Sequence, residues 1–98
     1  MISSLNEAVK LEKKDKGADV TRREVVNAAE DAIYVYKLMS NINEEYAYKE
    51  DFYDANLENV DDSNFEDICT LLKDKTFYRS KEVQAKVDAI NQAKSNIS

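Results

Sequence analysis

In 98 residues the chain has no proline and a single glycine, Gly17. Sandwiches and barrels turn the chain every 8–12 residues or so and draw on such residues to do it. That supply is missing, which excludes an all-β fold. The length fits one domain. Apolar residues at 43% and charged residues at 35% give a small core inside a heavily charged surface. The expected architecture is an all-α, compact bundle of four to five helices forming a single helical domain over residues 1–98.

Ser3 or Ser4 can cap a first helix running to Lys16, with Ile2, Leu5 and Val9 as its apolar edge and Gly17 where a left-handed residue is wanted. Thr21-Arg22-Arg23-Glu24 has capping-box spacing and opens a second helix over 22–41. On the helical period Val25, Ala29, Ala32, Tyr36 and Met39 share a face, flanked by Ala28 and Val35, and this helix is expected to be central. Asn43 can cap a third helix over 44–59, with 40–43 as either a cap or a kink. Asp61-Asp62-Ser63-Asn64 reads as a loop, and Ser63-Asn64-Phe65-Glu66 as a second capping box opening a helix through Leu72. Residues 73–79 read as a connector with Phe77 turned inward. Ser80 caps a last helix with Val83, Val87, Ile90 and Ile97 at helical spacing.

Charge is unevenly placed along this chain. Residues 1–42 are neutral overall, residues 43–67 carry ten acids against Lys49 alone, and residues 68–98 have a net of +3. The middle quarter repels phosphates and attracts basic surfaces, within a screening length of roughly 8 Å at physiological salt. Direct nucleic-acid binding is disfavoured, although Lys73, Lys75, Phe77, Tyr78, Arg79 and Lys81 form a basic, aromatic cluster. Asp74 and Glu82 dilute it.

Catalytic and metal motifs are not visible. There is no His, which removes the ordinary neutral-pH base and the commonest metal ligand. Cys69 stands alone, so no internal disulfide and no cysteine zinc site is possible, and its apolar neighbours Phe65 and Leu72 mark it as structural. The acidic loop at 61–64 lacks the glycine and register of a calcium loop. Gly17 alone cannot build a phosphate cradle. The expectation is a protein that is not an enzyme, with no cofactor and no metal. The segment from Met1 to Glu7 has no secretory pattern, and the apolar run at 32–36 is far shorter than the about 20 residues of a membrane span. A cytoplasmic protein without membrane contact is expected.

The third helix carries the candidate site. If 44–59 is helical, Tyr46, Tyr53, Leu57 and Val60 form a core stripe. Glu44, Glu50, Asp51, Asp54 and Glu58 then form a carboxylate row, and Tyr48, Phe52 and Ala55 a second strip nearly opposite the core. With Asp61 and Asp62 beyond, Glu44, Tyr48, Glu50, Asp51, Phe52, Asp54, Glu58, Asp61 and Asp62 are the expected partner-binding residues. Tyr48 and Phe52 are expected to be at least half exposed, as aromatic anchors of an interface are before binding.

The stretch Glu45-Tyr46-Ala47-Tyr48-Lys49-Glu50-Asp51-Phe52-Tyr53-Asp54 resembles the acidic, aromatic segments of small phage-encoded anti-CRISPR and anti-restriction proteins. It covers ten of the 98 residues. Those families put carboxylates where phosphates would lie. The resemblance implies an inhibitor of a nucleic-acid-binding protein, acting in the host cell cytoplasm. More broadly, the sequence is expected to be a non-enzymatic inhibitor or adaptor that docks on a basic protein. The alternative is a structural or assembly protein of a virion or secretion apparatus, a homo-oligomer in which the acidic middle of one copy meets the basic end of the next.

Overall fold

Gly17 takes the left-handed conformation, φ 65°, where the first helix ends, and a short 3-10 turn over Gly17–Asp19 leads into the second helix. The computed structural model describes residues 2–97, and side chains over residues 2–95. Within them lie α1 (Ile2–Lys16), α2 (Arg22–Asn43), α3 (Lys49–Asp54), α4 (Phe65–Leu72) and α5 (Ser80–Ile97), and no strand. The all-α bundle is as the sequence implies.

The capping box at Thr21 forms as spaced. The Glu24 amide donates to Thr21 Oγ1 at 3.2 Å, and the Thr21 amide donates to Glu24 Oε1 at 3.2 Å. These bonds satisfy two of the donors every helix start leaves open. From there α2 runs two residues further than the pattern predicts. It ends in a left-handed Glu45, φ 65°, with the Glu45 amide bonded to the Ile42 carbonyl and the Tyr46 amide to the Asn41 carbonyl. That bond pair is a Schellman cap. Residues 40–43 are therefore neither a kink nor a new cap.

A helix over 44–59 does not form. Residues 44–48 are turn and extended chain, and α3 has only six residues. It stops because Asn56 is also left-handed, φ 62°, with the Leu57 amide reaching back to Phe52 and the Asn56 amide to Tyr53. This second Schellman cap swings Leu57 under the helix it follows, and Ala55, Leu57 and Val60 are buried from a loop. Two members of the expected core stripe, Tyr46 and Tyr53, are exposed instead.

The capping box at Ser63 is likewise replaced. Asp61 Oδ1 accepts from the Ser63 amide and hydroxyl, and Asn64 opens α4 without a side-chain cap. Asn64 is buried, and its side chain bonds to the Asp61 amide, the Asn59 carbonyl and Asn91 of α5. A buried amide with its hydrogen bonds made fixes the loop against α5 rather than destabilising it. The α5 start is held by acids of other positions: the Ser80 amide donates to Asp31 of α2, and Glu82 accepts from the Tyr78 and Arg79 amides.

The main core joins Val35, Leu38, Met39 and Ile42 of α2 with Phe52, Leu57, Val60, Ile68, Leu72, Val83 and Val87. Phe65, Cys69, Phe77 and Ile90 pack on it partly buried, so Phe77 does turn inward. Burying an aliphatic or aromatic side chain of this size contributes about 1.5–3 kcal/mol. The buried face of α2 is rotated from the expected one. Ala28, Ala32, Val35, Leu38, Met39 and Ile42 are buried, whereas Tyr36 is 41% exposed. The last member of the α5 stripe, Ile97, has its side chain outside the described residues.

α1 lies along α2 and is absent from the main core; Ala8 is its one buried residue. The molecule is elongated, 45 × 29 × 20 Å, with a radius of gyration of 14.1 Å. Compact chains of about 100 residues have roughly 13 Å.

Candidate protein-docking surface

The nine expected partner-binding residues are divided among three environments. Phe52 is fully buried, 0% exposed, against Phe65, and leaves the set. Tyr48 is 66% exposed at the start of α3, so the expected aromatic pair is split between surface and core. The reason is the early break of the chain at 44–48, which removes the common helical frame from which both were placed.

Several of the acids are already engaged. Asp51, half-buried, accepts from the Tyr48 amide at 2.8 Å and caps α3. Asp62 pairs with Lys49 at 2.6 Å, and this partner holds the Lys49 ammonium above its usual range. Hydrogen bonds from the Ser63 hydroxyl and amide hold the Asp61 carboxyl below its usual range. Glu44 accepts from the Tyr46 hydroxyl at 2.6 Å, and that bond raises the phenol. Among the described residues Glu58 is tied to α5 through its backbone only, its amide donating to Gln84 Oε1 at 2.8 Å and its carbonyl accepting from Gln84 Nε2 at 3.1 Å. The carboxylate row of the sequence is thus not one surface.

A smaller surface is assembled instead. Asp51 and Asp54 face the second half of α2 across a groove of about 390 Å³, walled by Tyr34 and Tyr36 and lined also by Lys37 and Leu38. Asp54 is exposed and in no ion pair among the described residues. Glu50, one helical turn before it, extends the negative edge into solvent. Lys37 holds its ammonium 5.6 Å from the centre of the Tyr34 ring, within the range of a cation–π contact. A cation is therefore already accommodated on one wall of the groove. Tyr34 and Tyr36 escaped the sequence reading because the helical pattern placed Tyr36 in the core.

The basic cluster at 73–81 is largely consumed within the chain. Lys73 pairs with Glu45, Lys75 donates to the Leu71 carbonyl, and Arg79 and Lys81 reach Asp15. Burial, and then the Glu66 charge, push the Cys69 thiol up, which favours the unreactive protonated form. Among the described residues no three His, Cys, Asp or Glu side chains are arranged to hold a metal ion, and no helix is long and apolar enough to cross a membrane. Comparison with known proteins finds no family model, no curated protein and no solved structure that matches this chain.

Proposed function

We propose that this chain is a non-enzymatic protein-binding protein that docks a basic partner against the groove between α2 and α3. The observation that carries this reading is the meeting of Tyr34 and Tyr36 with the carboxylates of Asp51 and Asp54 on one exposed concavity. Tyrosines supply apolar area at low entropy cost, and carboxylates steer a basic surface to it. The resemblance of residues 45–54 to acidic segments of anti-CRISPR and anti-restriction proteins makes a nucleic-acid-binding protein the partner class to try first. In that role the chain is an inhibitor in the host cytoplasm that offers carboxylates in place of phosphates. Homo-assembly through acidic-to-basic contacts has less support, because Lys73, Arg79, Lys81 and Lys94 already pair within one chain.

Titration of the purified chain into a panel of basic nucleic-acid-binding proteins, over a salt series, tests the reading. A specific partner binds with an affinity that falls steeply with salt. The Tyr36→Ala/Asp54→Lys variant should stay folded and weaken that complex about tenfold or more. Equal binding by the variant at low salt would sink the reading.

A further inference from the structure

α1 is attached to the molecule by two unequal sets of contacts. Along α2 it buries Ala8 completely and leaves Leu5, Val9 and Leu11 half-buried, and no α1 side chain enters the main core. Its described polar ties are the Lys16–Glu24 ion pair beside the turn, 3.2 Å, and a larger cluster centred on Arg79. Arg79 Nη1 lies 2.6 Å from Asp15 and 3.9 Å from Glu12, while Nη2 lies 3.2 Å from Glu82 of α5. Lys81 joins at Asp15, 2.9 Å away. Between these groups runs a polar cleft of about 290 Å³ lined by Glu12, Asn27, Asp31, Arg79 and Lys81.

The Arg79 side chain is only 12% exposed, and its Nε is buried without a hydrogen-bond partner. A guanidinium in that state is stabilised by the carboxylates around it and penalised if they leave. The turn into α2 follows directly at this same, C-terminal end of α1. Gly17 holds φ 65° with open space where a Cβ would stand, and the turn is spanned by the Lys16–Glu24 ion pair at 3.2 Å.

We infer that α1 opens as a unit about the turn at residues 17–21 while the core stays closed, and that Arg79 is the clamp that holds it shut through Glu12 and Asp15. The opening exposes Ala8 and the half-buried Leu5, Val9 and Leu11 and breaks the Arg79 cluster, whereas opening α4 or α5 would expose the fully buried Ile68, Leu72, Val83 and Val87. The inference stands apart from the groove between α2 and α3 and does not depend on a partner.

Native-state hydrogen exchange on the full chain tests it. In the wild type, α1 amides should exchange through an opening about tenfold or more as populated as the one that exposes the amides around Val83 and Val87. The Glu12→Gln/Asp15→Asn variant should speed α1 exchange about tenfold further and leave the α5 amides unchanged. That direction is diagnostic. Removing acids near the C-terminal end of a helix favours the helix itself, so faster exchange there reports the lost attachment. Equal protection of α1 and α5 in the wild type would overturn the inference. So would a variant that exchanges everywhere alike, leaves α1 unchanged, or fails to fold, since the cluster would then belong to the global structure.

Discussion

Phe52 meets Phe65 edge to face, ring centroids 5.8 Å apart and planes at 77°. This geometry places the positive edge of one ring on the negative face of the other. It also joins α3 to α4, and it makes Phe52 part of the packing that holds the candidate surface in place rather than part of that surface.

Phe52→Ala should therefore lower stability by about 3–5 kcal/mol, the range for a buried aromatic that leaves a cavity. Tyr48→Ala, at an exposed position, should change it by no more than about 0.5 kcal/mol. Urea melts of the two variants side by side check the contrast. Similar losses at both sites would contradict the placement of either ring.

A charge at Ala32 should unfold the protein. Ala32 is buried on α2, and Ala32→Asp would bring in an unpaired carboxylate. Tyr36→Asp should leave a folded, cooperative protein, because the Tyr36 side chain faces the groove and solvent. Circular dichroism and thermal melts separate the two outcomes directly.

Acidification should loosen the molecule by way of Asp15. Hydrogen bonds from Arg79, and then from Lys81, bring its carboxyl down from 3.8 to about 2. A group whose folded pKa lies below its unfolded value stabilises the fold above the unfolded pKa, and that contribution disappears as pH falls through the folded one. The window is thus from about pH 4 down to about pH 2. Glu24, held low by Thr21, and Glu45, held low by Lys73, act in the same direction. Thermal melts from neutral pH downwards should show a shallower acid limb for Asp15→Asn than for the wild type.

Asn56 tests the left-handed cap that ends α3. At φ 62°, Asn56→Ala should destabilise by about 1 kcal/mol, while Asn56→Gly should be neutral or stabilising. A reversed order in denaturant melts would mean that α3 does not end in a left-handed residue.

The parts of the fold that were legible in the sequence are those where one residue type has one structural use. Gly17 and the Thr21–Glu24 pair marked a helix end and a helix start, and both are found. Asn56 followed by apolar Leu57 was a readable stop signal that the periodic pattern of 44–60 overrode. Glu45 offered no such signal, since glutamate has no preference for the left-handed region and is held there by backbone bonds to the end of α2. The Ser63 box failed because Asp61 reaches the Ser63 hydroxyl first. For the candidate surface, composition pointed to the right segment, and Asp51 and Asp54 remain in it. Its aromatic half came from α2, which the pattern of small residues alone could not orient.

The division between a local α1–α2 pair and a core drawn from Val35 through Val87 has a consequence for synthesis. Contacts between neighbouring elements form early, whereas contacts distant in sequence wait for their loops to close. The pair can therefore assemble on the ribosome while Leu38, Met39 and Ile42 still lack Val83 and Val87. For that interval the nascent chain displays one apolar half-helix beside a finished one, the kind of segment that chaperones hold and that aggregates when they do not.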